Sequence, residues 1–104
     1  MTDFDYEKTV RDCTKVRSFK PAISFTVEVN IPKIVIEKQK EIVKERTWQT
    51  LDERLVEVAE NWAAKAIRLQ YPNMFVTTPR VFGKIRNRYE DYWSFEVAVL
   101  YSWG

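Results

Sequence analysis

The chain has no histidine, one cysteine and two glycines in 104 residues. Each shortage removes a class of chemistry. Histidine is the commonest general acid–base near neutral pH and the commonest transition-metal ligand. Without it, Ser-His-Asp and Cys-His nucleophile systems cannot be assembled within one chain. A lone Cys13 allows no intrachain disulfide and no cysteine-based zinc site. Such cysteine usage fits a reducing, intracellular (cytoplasmic) compartment. Gly83 is the only glycine before the terminal Gly104, so phosphate-cradling loops and dinucleotide fingerprints are absent. No apolar run approaches the length of a membrane span, and no membrane partner is expected. The acidic opening, Met1-Thr2-Asp3-Phe4-Asp5-Tyr6-Glu7, lacks the apolar stretch of a signal peptide. A net charge of +2 gives no strong field to draw nucleic acid to the molecule as a whole, so any such role must rest on local clustering.

What is present is apolar and aromatic. The 45% apolar share argues against disorder, and the 14% aromatic share supplies large side chains for a small core. The length predicts one domain over residues 1–104, and no repeat, low-complexity segment or Gly/Ser linker divides it.

The clearest element is a helix over residues 50–70. Thr50-Leu51-Asp52-Glu53 is a capping box: the Thr50 hydroxyl takes an orphan backbone N–H and Glu53 reaches back to Thr50. Leu51, Leu55, Val58, Ala59, Trp62, Ala66 and Leu69 form one apolar stripe, and Pro72 ends the run. A second strip, Val56, Ala63 and Ile67, widens the apolar arc beyond what contact with a single sheet needs. The arc reads either as a helix nestled under a curved sheet or as a candidate interface with a second copy.

Ile23, Phe25, Val27, Val29 and Ile31 alternate with polar residues, which predicts a half-buried strand. Asn30-Ile31-Pro32-Lys33 reads as a turn, and Ile34-Val35-Ile36 as the start of a second strand. Residues 37–46 read either as a charged hairpin tip with Ile42 and Val43 in a further strand, or as one long edge strand. A short helix is expected over residues 3–16, from Tyr6, Val10 and Cys13, and a short strand over residues 74–77. The last quarter predicts a hairpin, residues 80–88 and 92–103, with its turn within residues 87–91. The expected fold is α+β: an antiparallel sheet of about four or five strands with one long helix on one face, ordered (α)-β-β-α-β-β.

The hairpin holds the best candidate site. In a regular strand Arg80, Phe82, Lys84, Arg86 and Arg88 share one face, opposite Val81, Gly83 and Ile85. In the last strand Trp93, Phe95, Val97, Val99, Tyr101 and Trp103 share the face expected to meet the helix stripe. Tyr92 then falls among the arginines, with Glu96 on the same side. Basic residues interleaved with Phe82 and Tyr92 suit phosphate contact and base stacking. They equally suit a protein partner or a solvated sheet face. Gly83, within a strand, marks a bulge or a close approach, with a Trp ring as the expected neighbour. Cys13 reads as a small buried hydrophobe or, if exposed beside Arg11 or Lys15, as a reactive thiol. Glu90-Asp91 reads as a hairpin tip, since two carboxylates are too few for a calcium cage.

These residues point to a small non-catalytic module acting through protein–protein contacts and self-association as a homodimer. The alternative is a nucleic-acid-binding module using Arg80, Lys84, Arg86 and Arg88 with Phe82 and Tyr92 as stacking groups. No catalytic residue, metal or cofactor is expected.

Overall fold

A computed structural model describes residues 6–19, 24–72 and 80–100. It is an α+β fold whose elements run α1 (Tyr6–Cys13), β1 (Thr14–Phe19), β2 (Ser24–Pro32), α2 (Lys33–Lys44), α3 (Leu51–Gln70), β3 (Arg80–Arg88) and β4 (Tyr92–Leu100). The four strands form one antiparallel sheet in the order β1-β2-β4-β3. The helices lie on one side of it, and α3 contacts all four strands.

The expected long helix is present with its expected start. Thr50 accepts a hydrogen bond from the Glu53 amide at 3.2 Å, and Glu53 accepts one from the Thr50 amide at 2.9 Å. Leu55, Val58, Ala59, Trp62, Ala63, Ala66 and Ile67 are buried against the sheet and the flanking helices. From the sheet, Phe25, Val27, Val29 and Ile31 of β2 and Phe95, Val97 and Val99 of β4 complete the core. Alternation places all seven on one face, because successive strand side chains point to opposite sides.

Three expectations are corrected. Residues 33–44 are helix α2, not a second strand, a charged hairpin tip or an edge strand. In a helix Val35 and Ile36 turn inward to the core, Ile34 turns out, and Lys40 and Lys44 pair with Glu37 and Glu41 one turn back. Pro32 ends β2 and is the N-cap residue of α2, so no separate turn intervenes, and the Lys33 amide is satisfied by the Asp91 carbonyl at 2.9 Å. The N-terminal helix stops at Cys13, and Thr14–Phe19 is strand β1, paired with β2 over its whole length. Thr14 folds its hydroxyl back onto the Val10 carbonyl at the junction. The order is therefore α-β-β-α-α-β-β. The strand expected at residues 74–77, with Tyr101 and Trp103, lies outside the described residues.

The third correction concerns the strip Val56, Ala63 and Ile67. Ala63 and Ile67 are fully buried and Val56 is half-buried against the same core. The strip offers no free surface to a second copy. The apolar arc is wide because α1 and α2 both pack on α3, in addition to the sheet.

Candidate functional site: the open face of the sheet

Register fixes what stands on the side of the sheet away from the helices. Across the strands, Lys15 lies opposite Glu28, Glu28 opposite Glu96, and Glu96 opposite Lys84. The next row holds Arg17, Thr26, Ala98 and Phe82. On the other side lie Asn30, Ser94 and Asn87, then Pro32 and Tyr92. No described element covers these rows. Phe82 is 58% exposed, and Tyr89 and Tyr92 are exposed with ring centroids 4.9 Å apart.

The expected basic face is present only in part. A bulge between Ile85 and Asn87 puts one extra residue, Arg86, into β3. Beyond it the alternation is reversed, so Arg88 stands opposite Trp93 on the helix side rather than beside Lys84 and Arg86. There Arg88 donates to Asp52 of α3 at 2.7 Å and lies over the Trp93 ring, 4.9 Å from its centroid. Arg88 thus ties the hairpin tip to the start of α3 and leaves the candidate face. Arg80 begins β3, and its side chain lies outside those described.

The remaining cations are largely neutralised. Glu96 lies 3.6 Å from Lys84 and 3.4 Å from Arg86. Glu28, directly across from Glu96, accepts a hydrogen bond from the Asn30 side-chain Nδ2 at 3.3 Å and has no ion-pair partner among the described residues. Like charges directly opposite on neighbouring strands disfavour the pairing. Arg17 likewise has no ion pair among the described residues, and it shares a shallow polar hollow of about 310 Å³ with Glu28, Asn30, Arg86 and Tyr92. The face therefore carries charges of both signs, with an acidic centre between basic margins.

Gly83 faces the helices, and the close approach expected there is real, although the neighbour is not a Trp ring. The Glu60 side chain of α3 lies over it, accepting a hydrogen bond from the Gly83 amide at 2.8 Å. A Cβ at Gly83 would sit 3.0 Å from Glu60 Cγ and 3.3 Å from Val56 Cγ1. Because β3 is an edge strand, this carboxylate also occupies a backbone donor that another strand would otherwise seek.

The other candidates carry little chemistry. Cys13 is half-buried, and burial, with the Asp12 carboxylate second, pushes its thiol above the ordinary range, the opposite of activation. Glu90 and Asp91 are exposed in the hairpin turn. Among the described residues no group of histidine, cysteine and acidic side chains could hold a metal ion, and no helix is long and apolar enough to cross a membrane. Sequence reasoning places Glu28 and Thr26 on this face but misses Lys15 and Arg17. The signal for them is the alternation Thr14-Lys15-Val16-Arg17, which the helical spacing of Tyr6, Val10 and Cys13 masks.

Fold and surface together define a small α+β domain with one helix-covered and one open sheet face. No protein-family model, curated protein or solved structure matches the chain.

Proposed function

We propose that the protein is a small non-catalytic interaction module that acts through protein–protein contact. Its partner is a second copy of the chain, and the open sheet face is the meeting surface. The observation that carries this reading is the exposed trio Phe82, Tyr89 and Tyr92 on a face of mixed charge that no described element covers. Aromatic side chains are the usual anchors of protein interfaces. Leftover charge of both signs, Arg17 and Lys15 against Glu28, lets one face answer another, as a two-fold contact requires. The alternative, single-stranded nucleic acid, has less support, because Glu96 takes up Lys84 and Arg86 and Arg88 is turned to the helix side.

Light scattering over a concentration series tests the proposal. The native chain should reach the dimer mass, and Phe82→Asp should return it to the monomer while keeping the native circular-dichroism spectrum. A strict monomer at every concentration sinks the self-association reading. Oligonucleotide binding at low salt, with a salt slope reduced by Arg86→Ala, would instead establish the alternative.

A further inference from the structure

The sheet has two outer edges, β1 and β3, and they are not equivalent. β3 is guarded: a bulge breaks its register at Arg86, and the Glu60 carboxylate occupies the Gly83 amide. β1 carries neither device. Its six residues run in unbroken register with β2, from Thr14 opposite Val29 to Phe19 opposite Ser24. Alternate backbone groups of an edge strand point away from its neighbour. Those of β1 have no hydrogen-bond partner among the described residues.

The two sides of the β1 edge differ in chemistry. On the open side stand Lys15 and Arg17, both exposed and neither in an ion pair among the described residues. Glu28 faces Lys15 from β2, on the inner side, away from the free edge. On the helix side a hollow of about 250 Å³ runs between β1 and the end of α3. Val16, Ala66 and Leu69 give it apolar walls, and Arg11 adds a further cation to its lining. Val16 and Leu69 are half-buried, at the margin of the core cluster.

A fifth strand laid along this edge would meet both sides at once, because its side chains alternate between them. Its apolar residues would enter the hollow, and its acids would lie beside Lys15 and Arg17. A second copy of this chain is the wrong occupant. Pairing β1 with its own image about a two-fold axis sets Lys15 and Arg17 against Lys15 and Arg17, and β3 of another copy brings Lys84 and Arg86. Like charges across neighbouring strands oppose both arrangements. We infer that the β1 edge takes up an extended segment of a different protein, about six residues of alternating apolar and acidic type, by strand addition. Main-chain hydrogen bonds hold the segment, and the alternation selects it. This contact is separate from the open-face contact and does not rest on it.

Titration of the full chain with a capped peptide alternating valine and glutamate, followed by amide chemical shifts, tests this edge. The peptide should bind saturably, and shifts should centre on β1 and on Leu69, not on β3. Amides of β1 that point away from β2 should exchange with solvent more slowly in the complex. A valine–lysine peptide inverts two cross-strand charge pairs and should bind about tenfold more weakly. The valine–glutamate peptide with alternate backbone nitrogens methylated keeps every side chain but cannot pair, and should not bind. Phe82→Asp should bind the acidic peptide as tightly as the native chain does. The inference is overturned by absence of saturable binding, by equal affinity for the lysine or methylated peptide, or by shifts centred elsewhere. It is equally overturned if the outward β1 amides are already protected in the free protein, since the edge is then covered by the chain itself or by a second copy. Light scattering on the free protein reads the open-face proposal independently of every one of these results.

Discussion

Replacing Gly83 by alanine tests how β3 is joined to α3. Glycine in a strand interior is ordinarily a weakness, and alanine should gain about 0.5–1 kcal/mol from reduced backbone freedom. At this position the added methyl carbon would sit 3.0 Å from Glu60 Cγ and 3.3 Å from Val56 Cγ1, so these side chains must give by a few tenths of an ångström. That displacement draws Glu60 away from the Gly83 amide, to which it is bonded at 2.8 Å, and is expected to cost most of that bond. A hydrogen bond to a charged group contributes about 1.5–3 kcal/mol. The losses exceed the gain, so Gly83→Ala should destabilise by about 1–2 kcal/mol, read from urea unfolding. The same change made in a Glu60→Ala background should turn neutral or stabilising, by up to about 0.5–1 kcal/mol, because its clash is gone. If the glycine change costs the same in both backgrounds, Glu60 is not what demands glycine there.

Two further outcomes follow from the core and the cap. Trp62, 4% exposed at the centre of the helix stripe, should cost about 3–5 kcal/mol when cut to alanine, and a loss below about 1 kcal/mol in chemical denaturation would contradict its core placement. The hydrogen bonds to Thr50 hold the Glu53 carboxyl below its ordinary pKa of 4.5. A depressed acid stabilises the fold fully above its unfolded pKa and loses that contribution as pH falls through the folded one. Thr50→Ala should therefore lower stability by about 1 kcal/mol at neutral pH and flatten the acid limb of the stability–pH curve, and an unchanged acid limb would argue against the cap as its source.

Elements with one dominant local signal were legible from the chain. The capping box and stripe located α3, and strict alternation located β2 and the inward face of β4. Helix α2 was hidden because Ile34-Val35-Ile36 is a β-branched run, which locally favours a strand. Its helical state is decided by packing on α3, with Val35 and Ile36 inside, which no window of local sequence contains. The bulge was hidden for a similar reason. Arg86 and Asn87 carry no glycine to mark it, yet this one extra residue decides that Arg88 binds Asp52 instead of joining the open face. The candidate site was thus half legible: Phe82, Lys84, Arg86 and Tyr92 share a face with Glu96 as expected, whereas Lys15 and Arg17 join it only through the register of β1 with β2. Fold class survived these errors because it depends on which faces are apolar, not on each connection.

Strand order also governs when the fold can form. The two central strands, β2 and β4, are direct neighbours, although β2 ends at Pro32 and β4 begins at Tyr92. Two helices and an edge strand lie between them in the chain. A chain emerging from the ribosome can assemble the β1–β2 pair early, but β2 keeps an unpaired inner edge until β4 has been synthesised. Closing that long loop has an entropic cost before any reward, which places this fold among the slower small domains. Until then the nascent chain displays the Phe25–Ile31 apolar row and relies on its helices, or on a chaperone, for cover.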